Sequence, residues 1–234
     1  TIIDTVLTEQ NTTTTTTNTI TYDNLINYNE YVYSVSAKDT AGNFSALSDQ
    51  VTAIPYSTTN NYSLVFNEVS EGYIDCGSDG VFDFGNSDFT LEAWIRPENT
   101  SQNVAIISRR TTSNDISYQL NIASDGRLVL SFRDDEQFSS EDVLEAGVWQ
   151  HVTLTRDNNL VKGYINSTEV MAFSNSSDLT SDQSLIFGHE NEGSKYFNGE
   201  MDEIRVWSRS LTKEEIESYQ YSVLDPIEHP HLVG

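Results

Sequence analysis

Short runs in which apolar and polar residues alternate recur along most of the chain. They include YVYSVSA (Tyr31 to Ala37), FTLEAWI (Phe89 to Ile95), RLVLSF (Arg127 to Phe132), WQHVTLT (Trp149 to Thr155) and EIRVW (Glu203 to Trp207). A period of two puts one set of side chains on each face of a strand, so these segments suit half-buried sheets rather than helices. Turn clusters separate them: SDG at 124–126, RDNN at 156–159 and INST at 165–168. Asp125-Gly126 and the Asp157-Asn158-Asn159 cluster tolerate positive φ between alternating runs, which predicts two meander hairpins. Long alternating helices are absent, which excludes a parallel α/β fold, and the pattern as a whole predicts an antiparallel sandwich.

Hydrophobic residues make up 37% of the 234 residues, enough for a substantial core. Twelve basic against thirty-six acidic residues give a net charge of −24, which repels the phosphate backbone of nucleic acid and anionic bilayers. Neither nucleic acid nor direct membrane insertion is expected, because no apolar run approaches the roughly 18 residues of a membrane span. With a single cysteine, Cys76, there is no intrachain disulfide framework.

A boundary is expected near Ile54-Pro55-Tyr56-Ser57, dividing the chain into residues 1–55, a linker at 56–61, a large domain at 62–222 and a tail or linker at 223–234. The stretch LINYNEYVYSVSAKDTAGNFSALSDQVTA carries the alternating Tyr31, Tyr33, Val35 and Ala37 and the turn from Asp39 to Ser45. It resembles the second half of a fibronectin type III domain. That resemblance implies that Tyr31 pins a strand corner through its hydroxyl, that the first strands of the domain are missing, and that the chain is a fragment of a longer polypeptide.

Six segments occur in order in the larger part: SLVFNEVSEGYIDCG, DFTLEAWIRP, GVWQHVTLTRD, VKGYINSTEV, LIFGHE and FNGEMDEIRVWSRSLTKEEI. From about Tyr62 to Tyr221 the chain resembles the laminin G-like, or concanavalin A-like, jelly-roll family of secreted bacterial proteins. The expected fold is therefore all-β: an antiparallel jelly-roll β-sandwich, a partial fibronectin type III-like segment before it and one short C-terminal helix. Thr212 and Glu215 have the spacing of a capping box at the start of that helix, with Leu211 and Ile216 placed to pin it. Trp149 and Tyr164, each in an alternating strand, are expected in the core.

No GxSxG, HExxH, phosphate loop or Cys/His ligand pair is present. Glu92 stands alone as a strand acid, while Asp202 and Glu203 are adjacent and face opposite sides, so neither forms the facing carboxylate pair of glycoside hydrolysis. His229 and His231, with Glu228, are expected in a flexible tail.

The resemblance implies a structural Ca²⁺ that joins the first strand to the last, with Asn67 and Asp202 at the corresponding positions. It also implies binding at loops on one rim or on the concave sheet. Candidate ligand residues lie in RRTTSNDISYQ, RDDEQF and GHENEGSKYF. Tyr118, Phe138 and Tyr196 are candidates to stack on sugar rings, and Arg109, Arg110, Gln119, His189 and Asn191 to hydrogen-bond hydroxyls.

The expected function is a noncatalytic recognition module, carbohydrate-binding or adhesive, in a larger secreted or cell-surface protein. Its partners would be a glycan or cell-surface ligand and the neighbouring domains. The alternatives are a structural or protein-contact module and a polysaccharide-degrading enzyme.

Overall fold

The computed structural model describes residues 31–53, 63–110, 116–133, 135–190, 195–222 and 224–234, and within 135–143 not every side chain. The chain forms two compact units, one reaching to Asn61 with Gln220–Val223, the other comprising Tyr62–Tyr219 and Leu224–Gly234.

In the first unit, β1 (Tyr31–Tyr33) pairs antiparallel with β2 (Val51–Ala53). Between them Asp39 closes the turn: its carboxylate accepts the Ala41 and Asn43 N–H groups and the Asn43 side-chain amide. This is the local reason the DTAGNF segment reverses the chain. Residues 1–30, the rest of the expected fibronectin type III-like segment, and the expected boundary within 54–62 lie outside the described residues.

The second unit contains β3 (Leu64–Phe66), β4 (Ile74–Asp75), β5 (Phe89–Pro97), β6 (Val104–Arg110), β7 (Ile116–Ile122), β8 (Arg127–Phe132) and β9 (Asp135–Val143). It continues with β10 (Gln150–Asp157), β11 (Leu160–Ile165), β12 (Thr168–Ser174), β13 (Leu185–Phe187), β14 (Gly199–Trp207) and one helix, α1 (Lys213–Tyr219). All pairings are antiparallel, in two six-stranded sheets ordered β12-β11-β10-β5-β14-β3 and β4-β13-β6-β7-β8-β9. Facing inner surfaces make a β-sandwich, as the alternation predicts.

The predicted periodicity shows in which residues join the apolar core. Phe89, Leu91, Ala93 and Ile95 of β5 meet Leu120, Leu130, Phe132 and Leu185 of the other sheet in one core. At about 1.5–3 kcal/mol for each large apolar side chain removed from water, this layer is the main source of stability. Each predicted hairpin forms: β7–β8 turns at Gly126 (φ 84°), and β10–β11 at Asn158 (φ 54°). Asn166 and Ser167 (φ 49° and 62°) make the β11–β12 turn.

The closing strand β14 lies between β5 and β3, with a bulge between Asp202 and Arg205 that places Arg205 and Trp207 on the face away from the core. Thr212 and Glu215 form the predicted capping box: Thr212 N–H donates to Glu215 Oε2 (2.9 Å), and Glu215 N–H to Thr212 Oγ1 (3.2 Å). Leu211 and Ile216 then bury against Tyr164 and Trp207.

The C-terminal residues depart from the expected flexible tail. Leu232 bridges Trp207, Val233 N–H donates to Val206 O, and His229 packs edge-on against Trp207 and Tyr219. The apolar Leu224, Leu232 and Val233 have buried surface to meet, which the polar look of DPIEHPH conceals. Among the described residues no helix is long and apolar enough to cross a membrane.

Candidate functional site

Among the described residues, two polar regions that differ in access gather titratable and aromatic side chains. The first is the face of the β5 sheet turned away from the core. Glu92 and His151 are wholly buried there, with Arg205 and Trp207 beside them. Glu92 Oε1 accepts Trp207 Nε1–H at 3.0 Å and lies 3.5 Å from Arg205 Nη1, whose guanidinium also donates to Glu203 and to Tyr219 O.

Burial pushes the Glu92 carboxyl above its ordinary range against the opposing pull of Arg205 and Trp207, and burial drives His151 down to about 3. The 3.5 Å approach of His151 Nε2 to Glu92 Oε2 is therefore a contact with a neutral imidazole, not an ion pair. Helix α1 and the C-terminal residues pack over Trp207, and Arg205 donates to Tyr219 O at the end of the helix. Glu92, the acid that stands alone on its strand in the sequence, therefore has no exposed surface.

The second surface is the rim beside β4 and β13. The short β4 begins just after Tyr73, and β13 ends just before Gly188 and His189. Gly188 has φ 80°, and a Cβ there would come 2.5 Å from the Phe66 ring, so glycine permits the tight exit from β13. Phe197 N–H donates to Gly188 O, and a bridge pairs His189 with Tyr196.

These contacts stack the His189 and Tyr196 rings at 4.2 Å and 10°, with His189 Nδ1 2.9 Å from Lys195 O. Tyr73 joins them, its ring 5.5 Å from His189 and 6.3 Å from Tyr196. His189 is buried beneath, Tyr196 half-buried, and Tyr73 is 49% exposed. The result is an aromatic corner with one open side. Nearby in sequence, Arg110 Nη1 pairs with Glu190 at 2.7 Å.

The other predicted ligand residues are placed differently. Tyr118 has no exposed surface: its ring packs against Phe84 and Phe89, and its hydroxyl donates to Phe82 O at 2.9 Å. Burial raises its phenol pKa well above the ordinary value, and it offers no face to a sugar. Arg109, its cross-strand partner, lies on the same inner face with its guanidinium beside the Tyr118 phenol; Nη2 donates to Ser181 O at 2.6 Å. These two are core and end-closing residues, contrary to expectation.

Gln119 sits on the outer face in one cross-strand row with Ser108, Ser131 and Glu136, buried like both serines. Gln119 Nε2 and Ser108 Oγ have no hydrogen-bond partner among the described residues. Asn191 and the Phe138 side chain lie outside what is described.

The expected calcium pair does not meet. Phe66 faces Gly199 and Leu64 faces Met201, so Asn67 lies past one end of the β3–β14 pairing and Asp202 past the other. Four strand positions separate them by about 13 Å. Ligands of one Ca²⁺ lie within 2.3–2.6 Å of it, which this register forbids. Asn67 Oδ1 instead accepts the Val69 and Ser70 N–H groups, and Asp202 Oδ1 accepts Glu203 N–H. Among the described residues no three His, Cys, Asp or Glu side chains gather as metal ligands.

Trp149, expected in the core, is half-buried on the turn before β10, with the Arg96 guanidinium 5.7 Å from its ring centre. Tyr164 is buried as expected. The sequence reading missed Tyr73, because a two-residue strand carries no alternation to single it out.

Two antiparallel six-stranded sheets packed face to face in this strand order define a jelly-roll β-sandwich. The chain belongs to the concanavalin A-like lectin/glucanases superfamily, whose laminin G-like family model matches residues 67–217.

Solved structures share the fold. A protein from Bacteroides ovatus described as a putative carbohydrate binding protein is similar at 21% identity and TM-score 0.60, over 86% of this chain and 59% of its own. Domain 4 of AbnA, a GH43 extracellular arabinanase from Geobacillus stearothermophilus in complex with arabinotriose, is similar at 19% identity and TM-score 0.54, over 79% and 80%. The binding domain of Paraclostridial Mosquitocidal Protein 1 is similar at 20% identity and TM-score 0.54, over 67% of this chain and 42% of its own.

Proposed function

We propose that this chain is a noncatalytic carbohydrate-recognition module of a larger secreted or cell-surface protein. The observation that carries the reading is the aromatic corner of Tyr73, His189 and Tyr196, stacked in place and open on one side. Aromatic faces offer sugar C–H groups an apolar platform, while phenol, imidazole and nearby polar groups meet the hydroxyls. Holding the rings in contact before a ligand arrives lowers the ordering cost of binding.

The fold relatives support the class: one is described as a putative carbohydrate binding protein and another is an arabinanase domain in complex with arabinotriose. The noncatalytic reading is supported by Glu92, which has no exposed surface and whose carboxylate is turned to Trp207 and Arg205.

A glycan array probed with the wild type and with Tyr73→Ala and Tyr196→Ala tests the reading. Binding to uncharged glycans that both variants weaken is the expected result. A wild type that binds no glycan, or variants that bind as well as it does, would overturn the proposal.

A further inference from the structure

Beside the aromatic corner, across the seam between the two sheets, lies a groove of about 300 Å³. Its polar lining includes Asn67, Arg96, Glu98, Asn198 and Glu200, drawn from the ends of β3 and β5 and the start of β14. The lining is braced. Arg96 pairs with Glu200, whose other oxygen accepts Ser63 Oγ–H (2.7 Å), and Asn198 Nδ2 donates to Glu98 Oε2 (2.6 Å). Gln102 fixes the Asn198 backbone in both directions, donating from Nε2 to its carbonyl (2.9 Å) and accepting its N–H at Oε1 (2.8 Å).

The half-buried Trp149 stands over Arg96 at the groove's margin. Planar amides, carboxylates and a guanidinium beside an indole form a set suited to vicinal hydroxyls and the C–H face of a sugar ring.

The groove and the corner are neighbours, linked through shared segments of the chain. Phe66 lines the groove and also packs against Gly188, the residue before His189, and edge-on against Phe197 at 5.9 Å. In the segment Tyr196-Phe197-Asn198 the first residue belongs to the corner, the second to the core and the third to the groove. The 67–73 loop runs from Asn67 in the groove to Tyr73 in the corner, pinned by the Gly72 N–H to Asn67 O bond (3.2 Å).

We infer that the groove is a second sugar subsite joined to the aromatic corner, so that the ligand is an uncharged oligosaccharide lying across the rim and not a single terminal sugar. This rests on the recognition reading above. The absence of charge on the ligand follows from Glu98 at the groove, where Arg96 already balances Glu200, and from the net charge of −24, both of which repel uronic acids and sulfated sugars. A ligand that spans both subsites gains from each while meeting the cost of association once.

Calorimetric titration of the full chain with arabino-, xylo- and cello-oligosaccharides from one to six units, and with oligogalacturonides, tests the inference. Affinity should rise at least about tenfold from one unit to four for the preferred series, as a second contact of ordinary strength provides. Glu98→Ala and Trp149→Ala should each remove most of that rise while leaving the weak binding of the single unit unchanged. Trp149→Phe, with an unchanged melting temperature, guards against misfolding and should keep an intermediate affinity.

Equal affinity for one unit and four, with no effect of the groove variants, would overturn the second subsite and leave the corner standing. Tight binding of oligogalacturonides would overturn the uncharged class, and no binding by the wild type to any series would overturn both readings.

Discussion

The two polar surfaces of the sandwich draw on the same kinds of residue, and the chain treats them differently. Over the β5 sheet, Glu92 and His151 are wholly buried beside Arg205 and Trp207, the latter packed under α1 and the C-terminal residues, with tryptophan and arginine donors turned toward the carboxylate. At the rim, Tyr73, His189 and Tyr196 are stacked on one another but left open, and the groove beside them keeps Glu98 exposed. The covered surface uses polarity to fix where the closing strand and helix sit. The open one leaves polar and aromatic groups in reach of solvent, where the proposed ligand would meet them. Aromatic content alone therefore does not locate a site; what the chain folds over it decides.

The largest expected effect lies on the covered side. Trp207→Ala removes a fully buried ring and the donor to Glu92, and should lower unfolding free energy by about 3–5 kcal/mol. Chemical denaturation measures this; a loss no larger than that of a surface substitution would break the contrast between the two regions.

Next comes acid sensitivity. In the unfolded chain His151 takes up a proton near its ordinary value of 6.5, whereas the folded site refuses it until about 3. Stability is therefore lost as pH falls from 6.5 toward 3. Glu92 opposes this only above its ordinary 4.5, where the folded state alone retains the proton. Below 4.5 the histidine acts without that opposition, so melting temperature should fall more steeply there in the wild type than in His151→Gln. Parallel profiles would count against a neutral buried imidazole.

Thr212→Ala should cost about 1 kcal/mol, since it removes half of the reciprocal cap that seats α1. Tyr73→Ala should change stability by no more than about 0.5 kcal/mol while weakening glycan binding. A large loss of stability there would make the corner a packing feature, which would sharpen the comparison in the opposite direction.

Most of the fold can be read from short-range pattern. Alternation sets the inward residues of β5, Asp125-Gly126 and Asn158-Asn159 set turns, and Thr212 with Glu215 sets the helix start, because each depends on residues a few positions apart. The site was less legible. Tyr118 alternates with Leu120 and Ile122, a period that points inward, yet its polar neighbours suggested a rim loop. Asn67 and Asp202 stand where a clasp between first and last strands would need them, but whether they meet depends on the β3–β14 register, which no local pattern specifies. Tyr73 becomes part of a site only through contacts with residues more than a hundred positions away.

The central claim is that recognition takes place on the open rim and not on the covered face. Amide chemical-shift mapping of labelled protein during titration with arabinotriose tests it most directly. The account predicts shifts confined to residues 67–73, 96–98, 147–149 and 188–200, with α1 and residues 224–234 unmoved. Shifts concentrated on α1 and the C-terminal residues, or none anywhere at saturating sugar, would contradict it.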